Sequence, residues 1–241
     1  MVRLTTSGGV ARLTLADPDA SNALGEPMVH ALRDAFAAID AAPDVRAVVM
    51  DAEGETFSSG APRELLMRLA GGNVRPVDIV LPKLLLDCPV PVIAAMAGHA
   101  VGGGFALGLA ADIVLMAAES RYGLTFMNLG FTPGMGTTRL CEHTLSAALA
   151  HELLYTGELR RGDRFAGAGI NRILPRAEVP AAAFDIASRI ADKPRAALVA
   201  LKRTLSLPRR LAFEASLTHE SLMHELTFAA AAQQIERDYV E

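Results

Sequence analysis

Two glycine-rich stretches and two histidines are where this sequence could do chemistry. One stretch, Gly54-Glu-Thr-Phe-Ser-Ser-Gly-Ala-Pro62, leads into a helical pattern that starts at Arg63. The other, Gly98-His-Ala-Val-Gly-Gly-Gly104, follows an apolar run, Val92 to Met96, that reads as a buried strand. It opens a small-residue segment, Phe105 to Ala111, that reads as a tightly packed helix. Strand, glycine loop and helix start together aim backbone N–H groups at a ligand. Glycines let a substrate approach the main chain, and the first helical turn adds unpaired donors and the positive end of the dipole. Close packing of a βαβ unit accounts for three successive glycines equally well. A dinucleotide site is excluded, because GGGFAL lacks the G-x-G-x-x-G spacing.

The histidines differ in setting. His99 abuts the glycine loop, where it lines a pocket or supports one. His224 falls with Leu217, Ser221 and Phe228 on one helical stripe. There it is either an interior support or a proton donor, since imidazole titrates near neutral pH. His219 shares its spacing with Leu222 and Leu226 and reads as structural. Arg63 is a solvated surface charge unless a substrate carboxylate gives it a partner. Basic pairs at Arg160-Arg161, Lys202-Arg203 and Arg209-Arg210 read as solvated helix faces or contacts for an acidic partner.

These groups need a scaffold, and the rest of the chain supplies one. Val2 to Ala16 reads as a hairpin turning at Ser7-Gly8-Gly9. Val29, Leu32, Phe36 and Ile39 recur at helical spacing behind Pro27, giving a helix to about Ala42. Val45 to Met50 is a buried strand, Leu81 to Leu86 a short helix, and Asn73 to Asp78 a mobile connection. Ile113 to Met116 reads as the last full strand, with a short extended piece at Arg121-Tyr122-Gly123. Gly130 to Gly136 is a loop, and helices follow over 140–155, 161–167, 179–191, 195–205 and 209–237. A strand-rich first half with a helical last third predicts an α/β core at 1–190. The helical region, 191–241, is expected to cover the site or pack on a neighbouring subunit.

At 241 residues, 51% hydrophobic and a formal net charge of −4, the chain has a well-filled core and no general attraction for nucleic acid or anionic membrane. Two cysteines, Cys88 and Cys141, without metal-ligand spacing predict buried thiols in a reducing, cytoplasmic compartment. No signal-peptide pattern or membrane-length apolar run is present.

Over essentially its full length the chain resembles the crotonase superfamily, the enoyl-CoA hydratase/isomerase fold. The matching pieces are DP…SNAL at 17–24, RAVVMDAEGETFSSGA at 46–61, CPVPVIAAMAGHAVGGGFALGLAADIVL at 88–115 and GFTPGMGTTRL at 130–140. The resemblance implies a ββα spiral and homotrimers or dimers of trimers. It also implies an acyl thioester whose carbonyl oxygen sits in an oxyanion hole formed by the amides of Ala61 and Gly103. Neither a cofactor nor a metal is implied beyond the phosphopantetheine or CoA that carries the acyl group.

Hydratases of that family place glutamates where this chain has Ala106 and Phe126, and no Asp or Glu occurs in 88–111 or 120–141. Hydration needs a carboxylate to activate water, and double-bond migration needs a base. A substrate that brings its own carboxylate needs neither, because loss of CO₂ generates the thioester enolate directly. Accordingly, ESRYGLTFMNLGFTPGMG at 119–136, LPRAEV at 174–179, KPRAALVALKRTLS at 193–206 and SLMHELTF at 221–228 resemble the decarboxylating hydratase homologues of polyketide β-branching cassettes. That resemblance implies a 3-methylglutaconyl-type group on an acyl carrier protein, decarboxylated to a β-methyl acyl thioester. It matches a functional lysine to Arg63 and a functional histidine to His224. It puts Asn128-Leu129 near the acyl pocket, where the homologues carry Lys-Tyr. The alternatives are a dehydratase of a 3-hydroxy-3-methylglutaryl thioester, an enzyme combining both steps, or a catalytically silent interaction module.

Overall fold

Every strand run of the first half is short, and the chain uses them in pairs, one strand for each of two sheets. The computed structural model describes residues 1–73 and 81–239. The first sheet has the order β1 (Val2–Ser7), β2 (Val10–Leu15), β3 (Ala47–Ala52), β5 (Val92–Met96), β7 (Ile113–Ala117), β10 (Arg172–Leu174). Its β1–β2 hairpin is antiparallel and every other pairing is parallel. The second sheet runs β4 (Thr56–Ser58), β6 (His99–Val101), β8 (Arg121–Gly123), β9 (Arg160–Arg161). Each of β3–β4, β5–β6 and β7–β8 therefore spans both sheets before the chain turns into helical structure, which is the expected ββα spiral.

The central strands β3, β5 and β7 of the first sheet are buried on both faces, which explains their continuous apolar runs. Val48, Met50, Ala94 and Met96 face the spiral interior with helix α1 (Glu26–Asp40). Ala47, Val49, Ile93, Ala95 and Leu115 face helix α7 (Val179–Ala191), whose Ala183, Ala187 and Ala191 recur every four residues and let it approach closely. Inside, Phe105, Tyr122 and Phe165 pack ring against ring at 5.6–6.1 Å. Burial pushes the Tyr122 hydroxyl pKa up to about 12, and its O–H donates to the Met96 carbonyl. Cys88 and Cys141 are buried free thiols, and burial raises the Cys88 pKa to about 11.

Several expectations need correction. Strands β4 and β6 are too short for their periodicity to register. β9 and β10 occur where the sequence reads as helix or loop; each is held only by ladder bonds to a neighbour from elsewhere in the chain. The helix predicted over 140–155 is a short α5 (Thr137–Leu140), a 3₁₀ turn and α6 (Ala147–Thr156). The only helical structure in 161–167 is a 3₁₀ turn, Gly162–Phe165, after Arg161 closes β9. The connection predicted as mobile falls, from residue 74 on, outside the described residues.

The two C-terminal helices are one, α8 (Arg195–Asp238), with Pro208 inside it. Proline costs a helix one N–H. The carbonyl it leaves, on exposed Thr204, faces solvent, and the core anchors the helix on both sides of the break. Lys202 reaches Asp112 and the Leu85 carbonyl. Arg209 holds Asp112 at 2.5 Å and the carbonyls of Ala110 and Ala111 at 3.2 and 2.7 Å. Those carbonyls end the buried helix α4 (Gly103–Leu109), where a cation is favoured. Lys202 and Arg209 are thus consumed inside the fold. Arg160 pairs with Glu152 and Glu158, and Arg210 with Asp87, so these basic residues are not free solvated faces.

Within the chain, helix α8 makes extensive contacts of its own. It folds back against α2 (Arg63–Ala70), α3 (Pro82–Asp87) and α5. Phe213, Glu220, His224, Phe228, Ala231 and Ile235 form its buried stripe. His219 points away, exposed, rather than supporting the core. Among the described residues no helix is long and apolar enough to cross a membrane.

Candidate active site

The two glycine-rich loops meet. Gly60 adopts φ +84°, and a Cβ there would come within 2.8 Å of the Val101 carbonyl and 3.1 Å of the Gly103 nitrogen. Only glycine tolerates both the conformation and the approach. The contact sets Ala61, just after Gly60, beside Gly103, the first residue of α4. Both line a cavity of about 550 Å³, and among the described residues neither amide has a carbonyl partner. Ala61 and Gly103 thus border one space.

His224 enters the same cavity from α8. Its Nε2 is 2.9 Å from the Thr132 carbonyl, which can only accept, so Nε2 carries a proton. Nδ1 is buried without a hydrogen-bond partner among the described residues. The ring lies edge-on to Phe228 at 4.8 Å, and Phe228 stacks on Phe131 at 4.6 Å. Burial lowers the His224 pKa, opposed by the carbonyls of Thr132 and Pro133. One ring nitrogen is thus anchored, and the other is buried with no hydrogen-bond partner among the described residues.

Other predicted residues divide. Phe126, Asn128 and His99 line the cavity. The Asn128 side chain is committed to structure, donating to the Gly157 carbonyl that ends α6. His99 Nδ1 accepts the Arg121 amide at 2.9 Å, and its pKa is lowered first by burial and then by Arg176. Ala106 is buried within α4 behind the cavity surface. Arg63 does not line the cavity, although its neighbours Ala61 and Leu65 do; its guanidinium lies 3.9 Å from Glu236.

Some residues of the site are not apparent from sequence. Tyr239 donates to the Ala61 carbonyl at 3.0 Å and closes the end of α8 over the first loop. Met135, between Gly134 and Gly136, holds φ +63° at the cavity wall. A lone non-glycine in a GMG triplet was the available signal. Asp238 is the only acid that lines the cavity among the described residues, and both its oxygens bind Arg237, at 2.7 and 2.8 Å.

A model of the enoyl-CoA hydratase/isomerase family matches residues 5–241. The chain belongs to this family. Within it, the chain is 40% identical over 220 residues to the bacillaene synthase decarboxylase PksI of Bacillus subtilis, covering 91% of this chain and 88% of that one. Identity to the probable enoyl-CoA hydratase EchA14 of Mycobacterium tuberculosis is 32% over 231 residues, 93% and 87% of the two chains. Among solved structures, a member of a dehydratase/decarboxylase enzyme couple involved in polyketide β-branching superposes with TM-score 0.95 at 37% identity, over 99% and 96% of the chains. The ECH2 decarboxylase domain of CurF from Lyngbya majuscula gives TM-score 0.93 at 36% identity, over 99% of each chain. The spiral and its helical C-terminal region are those of the crotonase fold.

Proposed function

We propose that the protein is a lyase that decarboxylates a 3-methylglutaconyl-type thioester, carried on the phosphopantetheine of an acyl carrier protein, during polyketide β-branching. One observation carries the reading. The cavity brings two backbone amides and one histidine together, and its only acid among the described residues is already bound by Arg237. Such a site can stabilise an enolate but has no free carboxylate to activate water. The likeness to PksI and to the CurF domain, both decarboxylases, supports the same reading.

In the proposed reaction the bond from the γ-carbon to the carboxylate breaks and CO₂ leaves. The electron pair spreads over the dienolate, placing negative charge on the thioester oxygen between the Ala61 and Gly103 amides. Donors fixed in advance need no reorganisation as that charge develops. The His224 Nδ1, protonated from solvent, donates that proton to a carbon of the dienolate, so one solvent proton is taken up for each CO₂ released. A substrate carboxylate nearby favours the imidazolium and opposes the burial effect. The experiment is intact-mass analysis of the carrier protein, with loss of one CO₂ from the acyl group as the expected result.

The pH dependence has a definite sign. The donating form of His224 exists below its lowered pKa, and its reference value is 6.5. In the free enzyme, kcat/KM is therefore expected to rise as pH falls through and below 6.5. The corresponding limb of kcat should lie at higher pH, because bound carboxylate stabilises the proton. His224→Ala should remove that limb, whereas persistence of the limb would assign it to another group such as His99.

Arg63 would serve a substrate carboxylate by exchanging Glu236 for it. On this proposal Arg63→Ala raises KM for a carboxylate-bearing acyl group and leaves affinity for a product analogue unchanged. Equal losses for both ligands would give Arg63 a structural role through Glu236. The oligomer proposed is a homotrimer or dimer of trimers. Its support is a stripe of exposed leucines on α8, Leu201, Leu205, Leu211, Leu222 and Leu226, away from His224.

A further inference from the structure

Glu220 is a buried carboxylate, 2% exposed, one helical turn before His224 on the same face of α8. One oxygen accepts the Gly136 amide at 2.7 Å. The other accepts the Thr138 amide at 3.0 Å and the Thr138 hydroxyl at 2.7 Å. No lysine or arginine is within ion-pair distance of it among the described residues. Burying a charge without a counter-ion is costly, so three donors aimed at it form a built arrangement rather than a casual contact.

The loop that Glu220 grips carries the strained and the functional positions together. Met135 at φ +63° and Gly136 at φ +76° adjoin the gripped amide. A Cβ on Gly103 would come within 3.0 Å of the Met135 sulfur, so this loop forms the wall opposite the Gly103 amide. A Cβ on Gly134 would come within 2.8 Å of the His224 ring, so the same loop sets where the imidazole can sit. Its Thr132 carbonyl fixes the proton on Nε2. Residues that hold a left-handed non-glycine conformation at a site are part of how the site is made.

We propose that Glu220 is a positioning residue: by clamping the loop between Thr132 and Thr138 from α8, it locks the Nε2–H tautomer of His224 and the wall facing Gly103. The assignment deepens the proposed function and rests on it for its kinetic readout only. Glutamine is the discriminating substitution. A carboxamide keeps the size but offers one acceptor oxygen, and turns an NH₂ towards the Gly136 or Thr138 donors.

The test uses the full chain labelled with ¹⁵N-histidine, with the His224→Ala spectrum assigning the His224 signals. Wild type is expected to show a protonated Nε2 and an unprotonated Nδ1. Glu220→Gln should show a mixture of tautomers and a kcat lower by about 10²-fold, the scale of a small misplacement, with KM little changed. Thr138→Ala removes one of the three donors and leaves the backbone pair, so it should shift both readouts in the same direction by less. Wild-type tautomer and wild-type kcat in Glu220→Gln would overturn the proposal. If that variant does not fold, the same result in Thr138→Ala would overturn it. A wild type that turns over no thioester would sink the proposed reaction, and the spectra would still decide the clamp.

Discussion

His224→Ala is expected to cut formation of the decarboxylated thioester by about 10²–10⁴-fold, roughly 3–5 kcal/mol in barrier height. The ring is held on both sides. Nε2 is committed to the Thr132 carbonyl and Phe228 packs beside the ring at 4.8 Å, while Nδ1 is buried without a partner among the described residues. In the proposed reaction that nitrogen is the one that carries the proton to carbon. Alanine removes it without touching the loop amides. His219→Ala serves as the control, because His219 is exposed on the same helix and its Nδ1 faces only the Ala215 carbonyl. Matching losses in the two variants would assign the effect to helix α8 and not to the imidazole.

Gly103→Pro is expected to abolish turnover. One lost oxyanion donor typically costs about 10²–10³ in rate, and proline has no N–H to donate. Gly103 is the first residue of α4, a position where helices accept proline, so the donor can be removed while the helix remains. A Cβ at this position meets the Met135 sulfur at 3.0 Å, in a flexible side chain. Circular dichroism and oligomer size should match wild type. A correctly assembled Gly103→Pro variant with full activity would refute the assignment of this amide.

Much of this arrangement was legible in the chain because it rests on local signals. The apolar runs at Val92–Met96 and Ile113–Ala117 are strands buried on both faces, and length and composition reveal such strands. The glycine loops were visible because the approach of Gly60 to Gly103 admits no side chain. The histidine stripe of α8 was visible because helical spacing separates a buried face from an exposed one. What escaped depends on distant partners. Strands β9 and β10 have two and three residues, and only their neighbours' ladders make them strands. Pro208 suggested a break that Lys202 and Arg209, both bound to Asp112, prevent. Glu220 looks like any helical glutamate until Gly136 and Thr138 are brought to it from 84 and 82 residues away. Motif position placed Arg63 near the site, and only the fold shows Glu236 3.9 Å from its guanidinium.

In the proposed reaction this cavity discharges a carboxylate from the substrate and does not activate water. Intact-mass analysis of a carrier protein loaded in turn with 3-methylglutaconyl and crotonyl groups tests it most directly. The predicted result is loss of one CO₂ from the first and no change in the second. Rapid addition of water to the crotonyl group, with the 3-methylglutaconyl group left intact, would contradict it.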